Sequence, residues 1–279
     1  MSLSASLQAW LAAGKGATAA HLWLFQPGAT GSLVAVLLFG IVVYVMIQRA
    51  RAGAPMRQIH PLPGIDAIDE AIGRATEMGR PVFYSSGDTG VTDPMTIAHY
   101  PILAHVARRC ARYDTRLLQP NEDPVVYTVN DSIVREAYLE AGRPEAFNPD
   151  DVWFMNNSSG YITGVWDLMQ KQRPAASILY GDFYYDAIML VEMGGLVGAV
   201  QIGATAQIPE LPFFVAGCDY ALIAEEMYAA SAYIGHEPVL TGTVVAEDLY
   251  KFAMFVLIVV GAVWLSIVGS TPFSSFVHF

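Results

Sequence analysis

Two uninterrupted apolar runs set the terms on which the rest of this chain folds. Leu33–Ile47 (LVAVLLFGIVVYVMI) carries no charge, is closed by Gln48-Arg49-Ala50-Arg51, and contains eleven Leu, Ile, Val or Phe residues. At about −0.3 to −0.6 kcal/mol each on a membrane-insertion scale, these favour the bilayer by roughly 3 to 7 kcal/mol. With Thr30–Ser32 added, the run approaches the roughly 17 residues of the shortest tilted membrane helix. Phe252–Val268 repeats the pattern further along. Only Lys15 precedes the first run, and the arginines follow it, which is the reverse of a cleaved signal peptide. The sequence therefore predicts one transmembrane helix over 32–51 and a second inside 244–271.

The acidic residues all lie between these runs. The 26 Asp and Glu fall between Asp66 and Asp248, and Ala52–Tyr250 holds 11 of the 15 Lys and Arg, so that segment has a net charge of −15. Such a domain repels phosphate backbones, which argues against nucleic acid as a partner. Arg49, Arg51 and Arg57 after the first run and Lys251 before the second place the acidic segment in the cytoplasm by the positive-inside bias. Both termini are then outside an inner or plasma membrane. Cys110 and Cys218 have no CxxC partner and read as free thiols.

Residues 1–31 form an outer-face leader, with Leu3, Leu7, Trp10 and Leu11 on one helical stripe and Trp23 further on. Residues 52–78 are a linker and a helix over Ile65–Met78. Residues 79–243 then alternate. Short apolar runs at Val82–Tyr84, Val125–Val129, Val152–Met155, Ser177–Tyr180, Ala199–Ile202 and Tyr220–Ala224 read as strands. Met95–Tyr113, Ser132–Ala141, Tyr161–Lys171, Tyr184–Met193 and Glu225–Ile234 read as helices. Continuous apolar strands between amphipathic helices predict a mostly parallel sheet covered on both faces. Right-handed crossovers make that an α/β, Rossmann-like doubly wound domain inserted between the two spans. A last helix, Val244–Val268, runs from this domain into the second span, and 272–279 is an outer-face aromatic tail with Phe273, Phe276 and Phe279.

In such a sheet ligands sit beyond the carboxyl ends of the strands. The expected rim gathers Ser85, Ser86, Asp88 and Thr89, then Asn130, Asn156, Ser158, Asp182, Gly203, Thr205 and Glu225. These residue types suit a small, polar, hydroxyl-rich ligand or a cation held by carboxylates. They also suit helix capping, for which Ser, Asn and Asp are preferred. Gly194-Gly195-Leu196-Val197-Gly198 lies at the wrong end of its strand for a dinucleotide fingerprint, and no GxxxxGK[ST] or GxSxG is present. His99 and His105 are six apart and share no helix face, so no histidine metal set is read. No cofactor is identified. Arg108, Arg112 and Arg116, with Arg109 alongside, form a basic stripe suited to a neighbouring subunit or lipid heads.

Gly79-Arg80-Pro81-Val82, Gly181-Asp182-Phe183, Gln201-Ile202-Gly203-Ala204-Thr205-Ala206, Leu211-Pro212-Phe213, and Cys218-Asp219-Tyr220 with Ile223-Ala224-Glu225-Glu226, Ala229-Ala230 and Tyr233 carry a resemblance. Over roughly Gly79–Lys251 the chain resembles an uncharacterised prokaryotic family of membrane-anchored proteins of unknown function. The resemblance implies a membrane-attached Rossmann-like domain and assigns no activity.

The functional expectation is a non-enzymatic, self-assembling membrane protein whose domains pack side by side as a homo-oligomeric scaffold. Its alternatives are a membrane-anchored small-ligand sensor and a membrane-bound enzyme using Asp88, Asp182, Glu225 or Glu226 as acid–base groups.

Overall fold

The structure, a computed structural model, describes residues 30–53, 63–155, 158–235 and 238–268, with side chains from residue 35 in the first helix and to residue 264 in the last. The leader with Trp10 and Trp23, Asn156, and the aromatic tail lie outside the described residues. The described residues divide into two compact units, Ile47–Val245 and residues 30–46 taken with residues 246–268.

In the larger unit, six strands form one parallel sheet. They are β1 (Val82–Gly87), β2 (Leu117–Asn121), β3 (Val152–Phe154), β4 (Ala176–Asp182), β5 (Val200–Thr205) and β6 (Tyr220–Ile223), in the order β3-β2-β1-β4-β5-β6. The chain winds outward from β1 through β3, returns across the sheet to β4, and winds outward again. The reversal places a topological switch point between β1 and β4. Alternation along the strands feeds two cores. Tyr84, Ile178, Tyr180 and Ile202 join Ile68 and Ile72 of α2 (Pro63–Met78) and Ile102 and Val106 of α3 (Pro94–Tyr113). Phe83, Leu118 and Leu179 face the other way. They pack on Tyr161 and Val165 of α5 (Ser158–Gln172), Leu190 of α6 (Asp186–Val197) and Phe214 of α7 (Leu211–Gly217). Each fully buried large side chain contributes about 1.5–3 kcal/mol relative to exposure. At the opposite end of the strands, Arg80 donates to the carbonyl oxygens of Arg173 (2.6 Å), Pro174 (3.0 Å) and Val197 (3.0 Å). It thereby satisfies carbonyls that follow α5 and end α6.

The sheet corrects two sequence expectations. Val125–Val129 is not a strand but the opening of α4 (Pro124–Glu140). Asp123 accepts from the amides of Val125 and Val126 at 2.8 Å, and Pro124 occupies the first helical position. This cap and the preset proline φ outweigh the β-preference of the valines. The strand in question lies just before it, over Leu117–Asn121, where Gln119, Pro120 and Asn121 conceal an otherwise apolar signal. Helix α8 (Glu225–Gly235) follows β6 as expected, whereas α7 has no counterpart in the sequence expectation.

The smaller unit contains most of α1 (Thr30–Arg51) and of α9 (Pro238–Val268), the latter starting earlier than the expected Val244. The rings of Phe39 and Tyr250 lie 4.9 Å apart at 59°, packing the two helices together. Val36, Leu37, Ile41, Phe252, Phe255 and Ile258 are exposed. Among the described residues, no helix is long and apolar enough to cross a membrane. Side chains of α1 are described only from Ala35, and those of α9 end at Trp264, with Glu247, Asp248 and Lys251 within the last five or so turns before it.

Candidate functional site

The backbones of β1 and β4 approach closely at the switch point. Gly87 and Gly181 both take positive φ, at 86° and 156°. A Cβ on Gly87 would press on the backbone of Asp182, and one on Gly181 on the backbone of Ser86. The amide of Asp88 donates to the carbonyl of Asp182 at 3.0 Å, fastening the two strand ends. Only glycine lets the strands close to this distance.

Three loops bring carboxylates to that junction. Asp88 follows β1, Glu122 follows β2 and Asp186 opens α6, and an oxygen from each lies within 4.8 Å of the others. Burial pushes the Asp88 carboxyl up to about 7, helped by the charges of Asp182, Glu122 and Asp186. Asp186 is raised too, by burial and then by Glu122. Oδ1 of Asp88 and Oδ2 of Asp186 are shielded from solvent and accept no hydrogen bond. The buried Tyr161 hydroxyl, 2.5 Å from Ser85 Oγ, is kept neutral by burial, with the three carboxylates adding to the same effect.

A second acidic pair lies under the turn from β4 to α6. Glu210 Oε1 accepts the amides of Phe183 (3.0 Å) and Tyr184 (2.7 Å), and Oε2 accepts the Thr205 hydroxyl (2.9 Å). Burial and a hydrogen bond with Asp182 push the Glu210 carboxyl up to about 8. Asp182 also accepts from Gln207 Nε2 at 2.7 Å. These bonds hold Tyr184 at φ 45°, a conformation costing a non-glycine residue about 1–3 kcal/mol. The pinned turn fixes where α6 starts, and so where Asp186 stands.

The rim residues read from the sequence therefore separate. Ser85, Ser86, Asp88 and Asp182 meet at the switch point. Asn130 belongs to α4, not to a strand end, but reaches back, donating to Asn121 Oδ1 (2.7 Å) and Ser86 Oγ (3.4 Å). Thr89 pairs with the hydroxyl of Thr96 at 3.0 Å. Thr205 supports Glu210. Gly203 lies inside β5, where a Cβ would strike Phe214 and Cys218, so its role is packing. Ser158 is the first residue of α5. Glu225 opens α8 beyond the edge strand β6, two strands out from β4. Glu122, Asp186 and Glu210 are absent from the rim expected from sequence. Glu122 follows the missed β2, and Glu210 precedes the missed α7.

The arginine stripe is largely engaged within its own domain. Arg108 pairs with Glu140 at 3.0 Å, Arg109 with Asp69, and Arg116 grips both oxygens of Asp151 at 2.9 Å, while Arg112 is exposed. His105 bonds Asp69 at 2.8 Å, and His99 is buried and neutral, its pKa lowered to about 3 by burial. A separate groove of about 480 Å³, lined by Tyr100, Pro101, Arg108 and Ile133 among others, lies between α3, α4 and the end of α8, and none of Asp88, Glu122 and Asp186 lines it.

A parallel sheet in this order, with carboxylates gathered at its reversal, defines a Rossmann-like α/β domain. The chain belongs to the family described as a domain of unknown function (DUF6754), whose model matches residues 20–276. No curated protein and no solved structure matches it.

Proposed function

We propose that this protein is a membrane-anchored sensor domain that binds a hard divalent cation, alone or with a small hydroxylated ligand attached, at its switch point. The convergence of Asp88 after β1, Glu122 after β2 and Asp186 at the start of α6, within 4.8 Å of one another, carries the reading. Oxygens that bind calcium at about 2.3–2.6 Å lie up to about 5 Å apart across the ion, which this spacing fits. An all-carboxylate donor set selects magnesium, calcium or manganese over zinc or copper. A cation also offsets the burial and the like-charge repulsion that push the Asp88 carboxyl up.

Anchoring is supported by the apolar side chains exposed along α1 and α9. A helix apolar on every side belongs in a protein core or in lipid, and water does not cover such a surface cheaply. Residues 30–34 and 265–268 extend these helices with further uncharged sequence. The positive-inside bias of Arg49, Arg51 and Lys251 supports a cytoplasmic α/β unit.

The test uses the full chain. It stays in the membrane pellet after alkaline washing and, extracted in detergent, melts at a higher temperature with calcium, magnesium or manganese. Saturation at about a hundred times the dissociation constant stabilises the fold by about 2.7 kcal/mol. A flat response to all three ions refutes the site and leaves the purely structural, scaffolding reading. Release by alkali refutes the anchor.

A further inference from the structure

Helix α6 is the middle helix of its layer, flanked by α5 and α7, and its outer face is apolar. Tyr185, at its start, and Ile188, Met189 and Leu196 along it are 88 %, 51 %, 45 % and 62 % exposed. The neighbouring α7 contains no charged residue, and Val215 on it is 58 % exposed, with Ile208 in the loop before it at 79 %. Among the described residues, Glu192 is the exposed charge of α6, against the Asp167–Lys171 pair on the outside of α5. Glu192 lies one turn from both Ile188 and Leu196, so a single carboxylate interrupts this face; even so, globular surfaces seldom leave this much apolar area to water.

We infer that this α6–α7 face docks a second copy of the same chain, forming a two-fold dimer. Area comes first. At about 150–250 Å² for a fully exposed tyrosine and about 60–120 Å² of apolar area for each of the smaller side chains, the six residues present on the order of 500 Å². That is more than half of the roughly 800 Å² per partner of a standard stable interface, whose rim is polar. Charge decides the kind of partner. Two domains that each carry −15 between Ala52 and Tyr250 approach most readily through a face with few carboxylates. A nearly uncharged apolar face is its own complement across a two-fold axis. An anionic lipid surface calls for lysine and arginine at the contact, and α6 and α7 have none.

Sedimentation of the full chain in detergent at micromolar concentration, or its mass in lipid nanodiscs, tests the inference. The expected species is a dimer, and Ile188→Lys with Leu196→Lys raises its dissociation constant about 100-fold. Both positions are exposed, so the melting temperature of the dissociated chain and its cation response stay unchanged. Tyr185→Lys alone gives a smaller loss in the same direction. A wild-type monomer overturns the inference and leaves the face to lipid or to another protein. A dimer indifferent to all three substitutions also overturns it, placing the interface elsewhere, for example on α1 and α9. Neither result bears on the cation site.

Discussion

Gly181→Ala leaves no folded α/β unit. The methyl group would meet the backbone oxygen of Ser86 well inside contact distance, and the reciprocal position, Gly87, meets the backbone of Asp182 in the same way. Neither obstacle is the end of a flexible side chain. The clash is between two central strands, tied by the Asp88 amide to the Asp182 carbonyl at 3.0 Å, and relief requires parting β1 from β4. A cost above about 4–5 kcal/mol is expected of so localised a conflict, and typical domains hold only about 5–15 kcal/mol in all. The check is loss of the cooperative unfolding transition in the variant. Gly79→Ala is the control: it also has positive φ, at 61°, but nothing lies within 4 Å of its new methyl group. It costs about 1 kcal/mol and the fold survives.

Asp88→Asn weakens divalent-cation binding about 100-fold, measured by calorimetry on the detergent-extracted chain, through loss of an anionic ligand from a set of three. The substitution also changes the pH response in a defined sense. Asp88 titrates near 7 in the fold, above its ordinary 3.8. A raised carboxyl favours the protonated folded state, so its contribution is full below pH 3.8 and is lost as pH rises towards 7. The unliganded wild type is therefore least stable above neutrality, by about 1–2 kcal/mol from this group once solvent screening is allowed for. The neutral amide of the variant escapes that loss, which makes unliganded Asp88→Asn the more stable protein at about pH 8. Cation affinity runs the other way in the wild type, falling as the pH is lowered below about 7 and Asp88 takes up a proton. In the variant this dependence is absent between about pH 6 and 8.

The fold is more legible in the sequence than the site, for a physical reason. Strands β1, β4 and β5 are buried on both faces, so their apolar runs are continuous and stand out. β2 is buried as well, yet Gln119, Asn121 and Asn130 bond one another through side-chain amides, at 2.7 Å for both Gln119–Asn121 and Asn121–Asn130. A polar network of this kind erases the hydrophobic signal without exposing the strand. The site depends on strand order, which no local pattern encodes. Asp88 and Asp182 are legible because each ends a readable strand. Glu122 and Asp186 join Asp88 only because β2 and β4 flank β1. The basic stripe is visible as a stripe, but its partners Asp69, Glu140 and Asp151 are distant in sequence, and long-range pairing of that kind leaves no trace in spacing.

Anomalous scattering from manganese-soaked crystals of the full chain tests the switch-point assignment most directly. A single strong peak is expected about 2.1–2.6 Å from carboxylate oxygens of Asp88, Glu122 and Asp186, weakened or lost in Asp88→Asn crystals grown alike. Manganese found only at scattered surface carboxylates, with none between these three, contradicts the account.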